Sequence, residues 1–135
     1  WDFGCMSRLY AGMTFSDKTI IAKKYGVNAK QFEQWLRSMN FIRNTSAHHS
    51  RLWNANILEQ SAPISFDSKW SQLVNYKPFF YFCIMQHMLK IICPRSCWNQ
   101  RFKSLLKEFP SVPEDTVKLR DFGLMASLED WRLWQ

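Results

Sequence analysis

AKQFEQWLRSMNFIRNTSAHHSRLW, residues Ala29–Trp53, is the stretch whose reading decides the fold. Asn28, with Gln31 three residues on, reads as a capping box opening a helix. From there apolar residues recur at helical spacing as far as Trp53, uninterrupted by glycine or proline. At about 100° per residue, with Phe32 as zero, Trp35, Leu36, Met39, Ile42, Ala47 and Trp53 share one broad apolar sector. Arg37, Asn40, Asn44, His48 and Arg51 form a separate polar stripe, roughly 80° to 160° round. Arg43 falls at about 20°, inside the apolar sector. A buried guanidinium is costly unless paired, so Arg43 is expected either in a buried ion pair or at a cleft shared with another chain.

Outward from this helix the same rules predict more helices. Residues 1–13 read as a helix end. Ser16 is expected to cap a helix through Lys24, with Gly26 as its left-handed stop. Residues 54–76 read as a loop with a short turn around Ser68–Leu73. Pro78 opens an apolar helix through FFYFCIMQHMLKIIC (Phe79–Cys93), and Pro94 ends it. Ser96 starts another helix through Phe109, with Trp98, Phe102, Leu105 and Leu106 on one face. A short helix precedes Gly123, and Ser127 caps a terminal turn whose Trp131 and Trp134 clamp the core. No period-2 alternation persists, so the fold class is all-α, one domain over residues 1–135. The chain begins at Trp1 with Phe3, Met6, Leu9 and Tyr10 already at helical spacing. It is therefore expected to be the C-terminal part of a longer protein.

Composition narrows the class of partner. The 135 residues are 47% hydrophobic and 16% aromatic, enough for a core and against disorder. Four Gly and five Pro are too few for an all-β chain. Eighteen Lys+Arg against eleven Asp+Glu give a net charge of +7, which favours an acidic partner, most simply nucleic acid or an anionic surface. Acids are absent between Glu33 and Glu59, and again between Asp67 and Glu108. The second window holds Lys69, Lys77, Lys90, Arg95, Arg101, Lys103 and Lys107, which reads as a solvated face or as a groove tracking a single strand. No basic-then-apolar leader with a small-residue cleavage site is seen in these residues, so secretion has no support, and the Phe79–Cys93 run is short of the roughly 20 residues that span a bilayer. A cytoplasmic protein with no membrane partner is expected. Cys83 and Cys93 read as small reduced hydrophobes of the apolar helix, and Cys93 and Cys97 lack a second zinc-ligand pair. No metal and no cofactor are expected, and His87 reads as a packed core histidine.

One pair of residues invites chemistry. His48 follows Arg43 by five positions, and an imidazole with an ordinary pKa of about 6.5 suits proton transfer near neutrality. Arg with His, without paired carboxylates, suits phosphodiester cleavage beside a ribose 2′-hydroxyl, where RNA supplies its own nucleophile. The same pair on a helix also fits a purely structural role. His48 and His49 point about 100° apart and do not chelate one ion. Ser46 and Ser50 lack an orienting acid for a hydrolase triad.

FIRNTSAHHSRLWN (Phe41–Asn54) strongly resembles the signature of the AbiD/AbiF-type abortive-infection proteins, the Abi-like phage-defence family. Its R-N-x-x-x-H core (Arg43, Asn44, His48) resembles the HEPN ribonuclease motif. FGCMSRLY (3–10), IAKKYG (21–26), WLRSMNFIRN (35–44) and EDWRLW (129–134) agree with the same family. The resemblance implies a HEPN-like helical bundle, lacking the family's N-terminal portion, that forms a homodimer. Two facing motif copies would then make one metal-independent RNase site. It also implies that Arg43 stabilises phosphate charge, His48 moves protons and Asn44 orients the site. Arg37, His49, Arg51 and Asn54 would support it or contact RNA. A toxin-like enzyme held inactive until infection, with an RNA or protein antitoxin, follows from the same resemblance. A non-catalytic RNA-binding module and a structural dimerising domain are the alternatives.

Overall fold

The computed structural model describes residues 2–48, 50–110, 116–124 and 127–135, and among them every regular element is helical. Helix α1 (Phe3–Gly12) is capped by Asp2, whose carboxylate accepts the Cys5 N–H at 2.7 Å. Helix α2 (Phe15–Lys23) is capped by Thr14, not Ser16. The Thr14 hydroxyl accepts the Asp17 N–H and donates to the Asp17 carboxylate, a reciprocal contact that needs a three-residue spacing. Gly26 takes φ 71°, the left-handed stop expected of it.

Helix α3 (Ala29–Ala47) starts where expected, with the Asn28 side chain accepting the Gln31 N–H at 2.8 Å. The box is only half formed. Gln31 turns away and donates to the Ala62 and Pro63 carbonyls at 3.1 Å, fastening the long loop instead. The helix also stops at Ala47 rather than Trp53. The Thr45 hydroxyl bonds the Phe41 carbonyl, and the Ser50 N–H reaches back to the Thr45 carbonyl at 3.0 Å. Apolar spacing ran on through Leu52 and Trp53 for another reason: Trp53 stacks between Phe109 and Phe122, 5.0 Å from each.

Helix α4 (Pro78–Ile92) has proline in its first turn as expected, and helices α5 (Trp98–Lys107) and α6 (Leu119–Phe122) follow. Single 3-10 turns form at Ser68–Gln72 and Arg132–Trp134. Helices α1 and α2 pack on α3, α3 on α4, and α4 on the terminal turn. Tyr10 ties the first three together, its hydroxyl set between the Lys18 and Ala29 carbonyls and its ring against Phe32. One core runs from Tyr10 to Trp134. At its far end Trp134 is fully buried and stacks on Phe79 and Phe102, so the terminal tryptophans do clamp the core.

Three expectations change. Cys93 is exposed, while Cys83 alone of the helical pair is buried. Leu105 faces solvent although Phe102 on the same helix is buried, because α5 is covered along one edge only. Of the second basic window, Lys69 and Lys90 donate to the Asp130 and Arg132 carbonyls at 2.7 Å, fastening the tail. Trp98 and Phe102, two of the aromatics among those bases, stack with one another and on Phe82, while Tyr76 stays exposed beside Lys77. No described helix is long and apolar enough to cross a membrane.

Candidate functional site

Two hollows lie along one face of α3. The first, of about 530 Å³, is lined by Arg37, Asn40, Asn44 and His48 from the predicted polar stripe, together with Ser50 and Glu59. The second, of about 490 Å³, lies between α3 and α1 and adds Arg43 from α3 and Arg8 from α1. Arg37, Asn40 and Asn44 line both, so the hollows adjoin along the stripe.

His48 is the C-cap of α3, and the end of the helix leaves its side chain exposed. Its N–H still bonds the Asn44 carbonyl at 3.0 Å, which fixes the cap relative to the preceding turn. Arg43 is exposed, and its guanidinium donates to the Asn44 side-chain oxygen at 2.7 Å. This removes the buried ion pair as an explanation for Arg43. The apolar sector was drawn too wide: Arg43 sits at its edge, in the hollow that α3 shares with α1. Gly4 shows how closely α1 approaches α3: a Cβ there would meet the Asn40 side chain at 3.4 Å. Asn44 bonds the Arg43 guanidinium through its side chain and lines both hollows, whereas His48 lines only the first and Arg43 only the second.

The opposite wall comes from the loop. Ser38, buried on α3, contacts the Glu59 carbonyl and the Ser61 hydroxyl. Tyr81 on α4 accepts the Ser61 N–H and donates to the Asn75 carbonyl at 2.8 Å. Burial pushes the Tyr81 phenol up, which keeps it a donor. This buried polar knot holds the loop segment that carries Glu59 beside the first hollow. Acid-free in sequence, the Arg43 window is not acid-free in space: Glu59 borders one hollow, and Asp2 and Glu33 border the other.

Of the other expected site residues, Arg37 lines both hollows, while Arg51 and Asn54 lie past the helix end and line neither. Asn54 accepts the Lys77 ammonium at 2.6 Å. His49 lies outside the described residues. Sequence reading missed Arg8 and Glu59, and nothing local to either marks it, since both arrive from other elements. Asn40 was on the predicted stripe but was not among the expected site residues, although it lines both hollows.

The sequence model of one known family, described as Abi-like protein, matches residues 1–54, which take in α1, α2, α3 and the Arg43–His48 motif. No curated protein and no solved structure matches the chain. Over those 54 residues, well under half of its length, the chain is similar to the Abi-like family.

Proposed function

We propose that the protein is a metal-independent, HEPN-type endoribonuclease acting in abortive-infection defence against phage, with Arg43, Asn44 and His48 as its site. The observation that carries this reading is that Asn44, bonded to Arg43, lines one hollow with Arg43 and the adjoining one with the exposed His48. The Abi-like match over residues 1–54 supports the defence part of it.

In the proposed reaction the RNA 2′-hydroxyl attacks the adjacent phosphorus. The 5′-oxygen of the next nucleotide leaves, giving a 2′,3′-cyclic phosphate and a 5′-hydroxyl end. One imidazole takes the 2′-hydroxyl proton and another acid returns one to the departing oxygen. Arg43 neutralises the charge that builds on the phosphorane oxygens. A homodimer with two His48 side chains at one site supplies both proton carriers, and exposure of His48 and Arg43 leaves them open to such an arrangement. An RNA or protein antitoxin would hold the enzyme inactive.

Incubating the purified protein with labelled single-stranded RNA in EDTA tests this. The wild type is expected to cut. His48→Ala is expected to lose cleavage by at least two orders of magnitude, the low end of what acid–base catalysis contributes, while still binding RNA. Binding without cleavage by the wild type would instead identify a non-catalytic RNA-binding module.

A further inference from the structure

The hollow between α1 and α3 holds three guanidinium groups, Arg8, Arg37 and Arg43. Both carboxylates on its border already have partners. Asp2 accepts the Cys5 N–H, and this bond, together with the charge of Arg43, holds its carboxyl below the usual range. Glu33 is paired with Lys18 at 3.1 Å. Arg43 is bonded to Asn44, but among the described residues Arg8 and Arg37 have no hydrogen-bond or ion-pair partner. No large apolar side chain lines this hollow, so a protein partner would find no anchor of the kind that dominates protein interfaces. A polyanion finds guanidinia flanked by the Asn40 and Asn44 side chains, the combination that holds phosphate and sugar oxygens. Along α3 the distance from Arg37 to His48 is about 16 Å at 1.5 Å per residue, longer than a dinucleotide needs.

We propose that the α1–α3 hollow is a phosphate-binding extension of the His48 hollow, where Arg8 and Arg37 hold the backbone of single-stranded RNA running past Arg43. The extension rests on the ribonuclease reading only for where the cut falls. Arg8 is a positioning residue contributed by α1, so α1 takes part in substrate binding as well as in the core.

The test uses the full chain and Arg8→Gln, with Arg8→Lys as the charge-preserving control and circular dichroism to verify folding. Binding is read by anisotropy with a fully 2′-O-methylated single-stranded RNA, which cannot be cut, across a salt series. Cleavage is read separately on a dinucleotide. Arg8→Gln is expected to weaken oligonucleotide binding several-fold and to make the slope of log K against log salt shallower by about 0.7, the loss of one single-strand phosphate contact. Arg8→Lys is expected to restore the slope. Unchanged affinity and slope in a folded Arg8→Gln protein would overturn the proposal, as would absence of RNA binding by the wild type. Equal competition by polyglutamate would overturn the assignment to RNA. If the wild type cuts neither the dinucleotide nor unmodified single-stranded RNA yet Arg8→Gln weakens binding as described, the extension stands and the ribonuclease reading falls.

Discussion

His87 shows how one side chain is made to depend on several elements. Its Nε2 lies 2.8 Å from the Tyr25 carbonyl, which only accepts, so the bonded nitrogen carries the proton. Trp35 and Trp70 meet its ring edge-on, and Phe66 lies beside it. Burial holds its pKa below the ordinary 6.5, the Lys90 charge works in the same direction, and the Tyr25 bond opposes them. The unfolded chain therefore binds a proton more readily than the folded one. The neutral-His87 contribution is complete above about pH 6.5 and is lost as pH falls from there through the lower folded value. Urea midpoints across pH 7.5 to 5 are expected to fall for the wild type and to fall less for His87→Gln; parallel curves would refute this. The reading of His87 as a packed histidine was available from its place in an apolar run. That Tyr25 satisfies it was not, because the partner lies on the turn between α2 and α3.

At the scale of elements, starts were more legible than ends. Asn28 and Pro78 mark the starts of α3 and α4 because capping and a missing N–H are properties of one or two residues. The end of α3 was hidden because Leu52 and Trp53 keep the helical spacing while serving the Phe109–Phe122 stack. That ending matters to the site, since it exposes His48 and sends Arg51 and Asn54 elsewhere. Gly123, after α6, combines two requirements that can be separated. It has φ 100°, and a Cβ there would lie 2.6 Å from the Lys77 Cβ. Gly123→Ala is expected to cost at least about 1–3 kcal/mol, the cost of non-glycine left-handed backbone, read by urea denaturation. Gly123→Asn is expected to give little rescue although Asn tolerates left-handed φ, because the clash with Lys77 remains. Full rescue by Asn would show that φ alone sets the requirement.

For the whole molecule, the C-terminal turn closes the core. Trp134 is fully buried among Phe79, Trp98 and Phe102, and Lys69, Lys90 and Gln86 all donate to backbone carbonyls of the tail. Trp134→Ala is expected to destabilise the protein by about 3–5 kcal/mol, with the loss seen in the denaturation midpoint; a change under 1 kcal/mol would show that the turn merely covers a core complete without it. The sequence by itself determined the all-α class, the starts of α3 and α4, the Arg37–Asn40–Asn44–His48 stripe and the resemblance to the Abi-like motif. Capping and 3.6-residue periodicity act over a few neighbouring residues, and a motif is a local string. Only the tertiary structure decided that Arg43 is exposed, that Glu59 and Arg8 border the hollows and that Lys69 and Lys90 of the second basic window fasten the tail. Those outcomes depend on how closely helices approach and which carbonyls they leave unpaired, properties of packing between residues far apart in the chain.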